Sequence, residues 1–502
     1  GRWNFMYPDG KKRPKESVVG MRSAFPTTPL GVGLVYAPGL EPLIRGEPGL
    51  VDVLEIEPQT FWRKLAAGRY VVDTIRLNRL AELPGARIVH GVGFPVGSVR
   101  PPDPAHLRPL VECITLTGAE WASEHLNFNR GEDADGIYDA GFLLPPCQSP
   151  EGACVAAASA RQSAVALPVP FLVENGVSYL APRRGELSDG MFLRQVVEQA
   201  DCELLLDLHN AWTNDRNGRQ PILDFLADIP LERVRELHLA GGVAEQGYWL
   251  DAHSGPVPPQ LIDLARDLVP RLCNLNAIIF EIMPTYIDIV GLDVVRREVE
   301  KLHDLWSLRS LAPPPLRAAA EPAPDLANAR SAALRWETTL AGLVTGRSAA
   351  DSLADDLKRD PGLGVYRRLI AAYRASAVVG TLPFTGRLLV ASLPPDALDD
   401  LFDTFWKEAA PEAFGEREAR NFAVFLSARN VPTPIPLAEV LTFDLAVIDA
   451  LTESRSARVS FSFDPVVVLG GLADHHLPEI AGPASETFYV DVSPAGLNFG
   501  LS

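Results

Sequence analysis

Asp207, His209 and Asn210 close the run CELLLDLHN at residues 202 to 210, so a carboxylate, an imidazole and an amide stand within four positions. These are groups that bind metal ions or carry protons. In an extended chain Asp207 and His209 would share one face, because strand side chains alternate. Asp and Asn are also ordinary turn formers, so an apolar strand that merely ends in a turn would look the same.

The same ending recurs. His90 closes ARIVHGVG, Glu124 and His125 close AEWASEHL, and Glu174 and Asn175 close VPFLVENG. His238 closes VRELHLAGG, Glu281 stands in NAIIFEIMP, and Asp251 and His253 lie in WLDAHSG. Five of the nine histidines therefore belong to this set, which a random scatter would rarely produce. Each residue alone has a plain structural reading, since buried polar groups are normally just hydrogen-bonded. Gathered at one place they would repel and lose hydration unless cations neutralised them. Imidazole mixed with carboxylate and no thiolate suits Fe, Mn or Zn, whereas Ca and Mg prefer oxygen-only shells. There are more ligands than one ion uses, so two or three ions with bridging carboxylates are expected.

Eight short apolar runs must position these residues, beginning at Leu30, Val51, Ala86, Ala119, Val169, Cys202, Val234 and Asn276. Segments of helical periodicity separate them, among them PAHLRPLVECI, GMFLRQVVEQA and PQLIDLARDLVPRL. Strands that are apolar without alternation are buried on both faces, as in a parallel sheet covered by helices. The pattern predicts an α/β fold, a TIM (β/α)8 barrel, with its site at the C-terminal ends of the strands. A doubly wound sheet would carry a glycine-rich phosphate turn after its first strand, and GVGLVYAPG lacks the GxGxxG spacing.

With 502 residues the chain has room for two or three domains. The expected division is an arm over 1–28, the barrel over 29–310, a Pro/Ala-rich linker over 311–330 and a mainly helical α+β domain over 331–502. In the last, ARVSFSFDPVVVL and ETFYVDVS read as strands. A net charge of -18 argues against nucleic acid, which is held chiefly through clustered Lys and Arg. No apolar run approaches the ~20 residues that cross a bilayer, and the first residues lack the apolar core of a signal peptide, so no membrane association and a cytoplasmic location are expected. Five cysteines without CxxC spacing imply neither a disulfide framework nor a zinc ribbon.

The series HGVGFPVGS, SEHLNF, FLVENG, LLLDLHN, ELHLAGG, LDAHSG and FEI, in this order, resembles the motif series of the multinuclear non-heme iron-dependent oxidases, the family of the methanobactin-biosynthesis oxidase. The resemblance covers roughly residues 30 to 310 and implies a TIM barrel that modifies a ribosomally made precursor peptide with iron and dioxygen. It implies one iron held by His90, His125 and Glu174, and a second that shares Glu174 and adds Asp207, His238 and Glu281. A third would be held by Asn210, Asp251 and His253. Mixed Fe(II)/Fe(III) states and O2 as co-substrate follow from the same resemblance, with Asp207, His209 and Asn175 as candidates for work on the substrate. Cysteine is the commonest target in that family, and Asp or Asn also occurs.

The chain departs from the family pattern at four places. His209 stands where relatives carry Asn, Gly242 where the HLAG motif often continues with His, Glu57 where relatives tend to carry His, and Gly176 where ENP is usual. GVYRRLIAAYRASAVVGTLPFTGRLL and FDTFWKEAAPEAF resemble the helical partner proteins that accompany these oxidases as separate chains and engage the peptide leader. The fusion would supply that partner in cis, with strand edges near Phe461 or Phe488 able to capture a leader by strand addition. Trp336, Tyr366, Tyr373, Phe402, Phe405 and Trp406 have near-helical spacing and read as core, and His475 and His476 as an exposed loop pair. The competing functions are a metal-dependent sugar isomerase or a trinuclear zinc phosphodiesterase on the same barrel, and a noncatalytic peptide-binding scaffold.

Overall fold

The computed structural model describes residues 25–26, 28–64, 69–100, 103–310, 325–347, 352–478 and 487–501. The expected arm falls almost wholly outside these residues, as does the expected linker up to residue 324.

The eight apolar runs form eight parallel strands: β1 (Gly31–Val35), β2 (Val53–Ile56), β3 (Ala86–Gly91), β4 (Ala122–His125), β5 (Phe171–Glu174), β6 (Glu203–Asp207), β7 (Val234–Ala240) and β8 (Ala277–Glu281). Each pairs with its sequence neighbours, and β1 also pairs with β8, which closes the barrel. Alternation then sorts the side chains. Val35, Val53, Ile88, Trp121, Leu172, Leu205, Ala277 and Ile279 pack together as the barrel's apolar floor. Two positions further along, on the same inward face, stand Glu55, His90, Glu174, Asp207 and Glu281. The polar layer is thus one step above the floor in strand after strand.

At the end of β6 the chain turns directly into α1 (Leu208–Arg216). Asp207 caps it, accepting a hydrogen bond from the Asn210 N–H at 2.6 Å through Oδ1. His209 and Asn210 consequently lie in the first turn of a helix, which corrects the expectation that Asp207 and His209 share a strand face.

Beyond the barrel, α2 (Leu326–Val344) begins inside the stretch expected as linker, and α3 (Gly362–Thr381) follows. Four more helices come next, then β9 (Ala457–Phe461), a helix over Pro465–Ala473, β10 (Phe488–Ser493) and β11 (Gly496–Leu501). The sheet order is β9-β10-β11, so β10 is the central strand and Phe488 lies on no edge; the edges are β9 and β11. The segment PVVVLGGLA is helical and not a strand. Pro465 opens it and the Asp464 carboxylate accepts from the Val466 N–H, a start signal that outweighs the strand preference of three valines. Trp336, Tyr366 and Phe405 are buried, whereas Tyr373 is exposed. His475 and His476 are exposed. Among the described residues no single helix is long and apolar enough to cross a membrane; Gly362–Thr381 with Pro383–Ser392 passes only as a pair bent by 111°.

The C-terminal helices sit on the barrel mouth. Leu340, Ala341, Leu363 and Tyr366 share one apolar cluster with Phe128, Leu144, Tyr179 and Leu250 of the barrel loops. Two polar ties stand out. Glu337 of α2, 1% exposed, accepts from Ser98 Oγ at 3.0 Å and from Arg100 Nη1 at 2.8 Å, and also from the Val99 N–H, in the loop that follows β3. Tyr366 of α3 accepts from the Tyr179 N–H at 3.2 Å, and the Tyr179 hydroxyl accepts from the Asp251 N–H at 3.1 Å.

Burial pushes the Glu337 carboxyl up to about 7 despite its partners. Its folded value thus lies above the unfolded one, so the folded chain holds that proton more tightly. Stability should fall by roughly 3 kcal/mol as pH rises from about 4.5 to about 7, and level off above. Glu337→Gln is expected to flatten this slope, read as the unfolding midpoint against pH.

Candidate metal centre

His90, His125 and Glu174, from the ends of β3, β4 and β5, each bring a ligand atom within 4.8 Å of the others. The Glu174 Oε2 atom lies 3.2 Å from His90 Nε2 and 3.1 Å from His125 Nε2. The rings are turned by their other nitrogens, His90 Nδ1 against Ser123 Oγ at 2.8 Å and His125 Nδ1 against the Gly91 carbonyl at 3.0 Å. Neighbouring groups combine Glu174, Asp207 and His238, and Asp207, His253 and Glu281. His238 Nδ1 is 3.2 Å from Glu281 Oε1 and 3.8 Å from Glu174 Oε1. Further out, His253 Nε2 lies 2.9 Å from Asp251 Oδ1 and 3.5 Å from Glu281 Oε2. The candidate ligands thus form one chain of overlapping groups in which Glu174 and Asp207 are shared.

What these atoms lack is as informative as their spacing. Glu174 Oε2, Asp207 Oδ2, His238 Nδ1, His253 Nε2, Glu281 Oε2 and Asn210 Oδ1 are all buried and make no hydrogen bond. Buried polar atoms are almost always paired, and an unpaired one costs about 1–3 kcal/mol. Six orphans at one place are explained if their lone pairs serve cations, and the donor set fits imidazole- and carboxylate-binding metals. None of the metal-binding groups found among the described residues contains a cysteine.

Protonation tells the same story. Burial alone would lower His90, but the Glu174 carboxylate outweighs it and raises the ring to about 10. His238 and His253 are likewise raised well above the ordinary value, against burial, by Glu281 and Asp251 respectively. Burial, reinforced by Glu281, Glu174 and Asp251, drives the Asp207 carboxyl far up. Without metal, protons take the place of cations here.

Two residues expected to act on substrate, Asn175 and His209, are held by hydrogen bonds within the site. Asn175 donates its amide N–H to the Asp207 carbonyl at 2.8 Å and accepts from the Asp207 N–H at 2.9 Å. Both ends of its side chain are engaged in fixing Asp207. His209 faces Asp251 with Nδ1 at 3.0 Å, and the Trp249 indole N–H donates to its Nε2 at 3.1 Å. It joins Asp251 and His253 in a close group of ionisable donors.

Glu55 and Glu236 were not singled out from the sequence, yet both are fully buried beneath the centre. His238 Nε2 lies 3.1 Å from Glu55 and 3.3 Å from Glu236, and the Trp121 indole donates to Glu236 at 2.8 Å. Carboxylates behind a ligating imidazole fix its tautomer and leave the other nitrogen to a metal. Burial raises Glu55 to about 8, so it is the protonated member of this pair.

Gly91 is required beside the first group, because a Cβ there would overlap Glu124 Oε2. That oxygen accepts from the Phe94 N–H at 2.9 Å while Oε1 accepts from the His125 N–H at 3.0 Å. Gly91→Ala should therefore turn His125 and weaken the ion at this group by roughly 10–100-fold, measured by competition with a chromogenic chelator. Unchanged affinity would refute the geometry.

Beside the centre a cleft of about 80 Å³ is lined by Tyr36, Glu57, Phe61, Arg76, His253 and Glu281. Burial raises the Glu57 carboxyl above its ordinary value.

Comparison with known proteins adds to this geometry. A profile of the RiPP precursor modification enzymes MbnB/TglH/ChrH matches residues 30–306. A UPF0276 protein of Streptomyces avermitilis is 30% identical over 246 residues, 48% of this chain and 49% of that protein, so the match spans about half the relative's length. A UPF0276 protein of Vibrio vulnificus is 30% identical over 280 residues, 55% of this chain and 91% of that protein. Solved structures that resemble the barrel include a Thermus thermophilus protein soaked with zinc chloride, at 18% identity and a TM-score of 0.32, covering 55% of this chain and 97% of that one. Endonuclease IV of the same organism has 17% identity and a TM-score of 0.35, covering 56% and 99%.

Proposed function

This chain belongs to the MbnB/TglH/ChrH family of RiPP precursor modification enzymes, and from that premise we propose that it oxidises one residue of a ribosomally made precursor peptide with two or three iron ions and dioxygen. The observation that carries this reading is the set of six orphaned lone pairs at the barrel mouth. His90, His125 and Glu174 would hold one ion. Glu174, Asp207, His238 and Glu281 would hold a second, and Asp251 and His253 with Asn210 Oδ1 a third. Bound iron would supply the electron acceptor and donor for oxidation by dioxygen.

The chain's own residues supply the rest. Glu55 and Glu236 hold His238, Asn175 holds Asp207, and the apolar floor keeps water from below. The cleft beside His253 and Glu281 has room for one small side chain, and the family resemblance implies Cys, Asp or Asn as the target. The C-terminal region would engage the leader in cis. Its edge strands β9 and β11 offer unpaired backbone, and an apolar cavity of about 570 Å³ lined by Phe384, Phe443, Leu469, Leu497 and Phe499 adjoins β11.

The test is anaerobic loading with Fe(II), addition of a precursor peptide encoded beside the gene, exposure to O2 and mass spectrometry. A mass change that needs both iron and O2 is expected. Turnover supported by zinc or manganese without O2 would sink the proposal in favour of an isomerase or phosphodiesterase reaction.

A further inference from the structure

His209 is 0% exposed and has a bond at each ring nitrogen. An indole N–H donates and cannot accept. The Trp249 N–H at 3.1 Å therefore requires a lone pair on His209 Nε2. A neutral ring then carries its single proton on Nδ1, which lies 3.0 Å from an acceptor, Asp251 Oδ1. Neither nitrogen of His209 appears among the orphaned atoms, whereas His238 Nδ1 and His253 Nε2 do.

Coordination by His209 meets an obstacle. Nδ1 is the nitrogen turned towards Asp251, which His253 also approaches. For Nδ1 to bind a cation its proton would have to leave, and a neutral ring would then carry it on Nε2, facing the Trp249 N–H. Two donors would oppose each other at 3.1 Å, too close for a water to stand between them. Trp249 is itself well held. Its backbone N–H donates to Asn217 Oδ1 at 2.8 Å, its carbonyl accepts from Asn217 Nδ2 at 2.9 Å, and its ring packs edge-on against Trp212 with centroids 5.1 Å apart. The approach of indole to imidazole also needs Gly242, where a Cβ would overlap the indole nitrogen and lie 2.8 Å from His209 Nε2.

We propose that His209 is a positioning residue and not a metal ligand: Trp249 locks it as the Nδ1–H tautomer, in which it holds the Asp251 carboxylate beside His253. This rests on the metal reading above, in which Asp251 and His253 share an ion. That ion would then be held by side chains other than His209.

The full chain labelled with 15N-histidine and loaded with 113Cd(II) tests this, since a bonded nitrogen shows direct 113Cd–15N coupling. Coupling is expected at His253. The His209 signals, assigned by their loss in His209→Gln, should show a protonated Nδ1 without coupling. Coupling at His209 Nδ1 would overturn the proposal. Trp249→Phe removes the opposing donor, and coupling should then appear at His209; an unchanged His209 spectrum would show that Trp249 does not set the tautomer and would also overturn it. In His209→Ala, 113Cd at the Asp251–His253 group should bind roughly 10–100-fold more weakly while binding at His90 and His125 is unchanged. His209→Gln, which keeps a neutral N–H donor, should recover part of that loss. Cadmium coupling at His90 and His125 but not at His253 would defeat the role given to His209 and leave the first metal group standing; coupling at no histidine would defeat the metal reading itself.

Discussion

Glu174→Ala is expected to strip two metal ions from the protein and to lower peptide oxidation by at least three orders of magnitude. The reason is its central place. One carboxylate oxygen lies 3.2 and 3.1 Å from the His90 and His125 Nε2 atoms, and the other 3.8 Å from His238 Nδ1. Ion binding worth roughly 10–16 kcal/mol, spread over three or four ligands, assigns about 3–4 kcal/mol to each, or 10²–10³-fold in affinity. A shared ligand loses this amount at two ions together. Glu174→Gln keeps the volume but not the charge, and should fall between the wild type and the alanine variant. Metal analysis after gel filtration and mass spectrometry of the peptide are the readouts. Full metal content in Glu174→Ala would refute its bridging place.

The second large effect is a reversal of pH dependence on metal loading. In the metal-free chain His90 is raised to about 10 by Glu174, against burial, and burial raises Asp207 far above its usual range. Each must lose its proton to bind an ion, His90 together with the raised His125 at the first ion and Asp207 together with the raised His238 at the second. Two protons released per ion make affinity climb roughly 100-fold per pH unit near neutrality. Stability of the metal-free chain runs the other way. A histidine whose folded value exceeds its unfolded value near 6.5 contributes fully below that pH, and the contribution is lost as pH rises through about 10. Asp207 has the same sign, its contribution disappearing as pH rises from near 3.8 through its raised folded value. Chelator-treated protein should therefore melt progressively lower from pH 6.5 to 10, while loaded protein should not. Proton release in a weakly buffered metal titration checks the first half, and melting curves the second. A metal affinity independent of pH between 6 and 8 would refute the ligand set.

Much of this was legible from residue order. A barrel strand shows its core as an unbroken apolar run, and a polar residue that ends such a run stands at the mouth; His90, Glu174, Asp207 and Glu281 are visible by this rule. Glu55 and Glu236 are less visible because they lie within their runs, Glu55 one step before Ile56 ends β2 and Glu236 two before His238. The usable signal was the spacing of two from a floor residue, as from Val53 to Glu55. Asn175 was legible as a site residue but not as one that spends both ends of its amide on the Asp207 backbone. His209 and Gly242, two departures from the family pattern read separately along the chain, meet in space across Trp249. No local pattern could join them, since their contact depends on the pairing of β6 with β7. The helix at Pro465–Ala473 reads as a strand by propensity alone, because three valines outweigh the Asp-Pro start.

The contacts of Glu337 and Tyr366 with the mouth loops have a consequence for synthesis. The ribosome releases every candidate ligand, through Glu281, before it releases Glu337 or Tyr366. A nascent barrel can therefore close its strands while the loop after β3 and the Tyr179 backbone still lack their ties. The C-terminal helices complete the mouth last, so its final shape is set by the part of the chain that is made after the candidate centre itself.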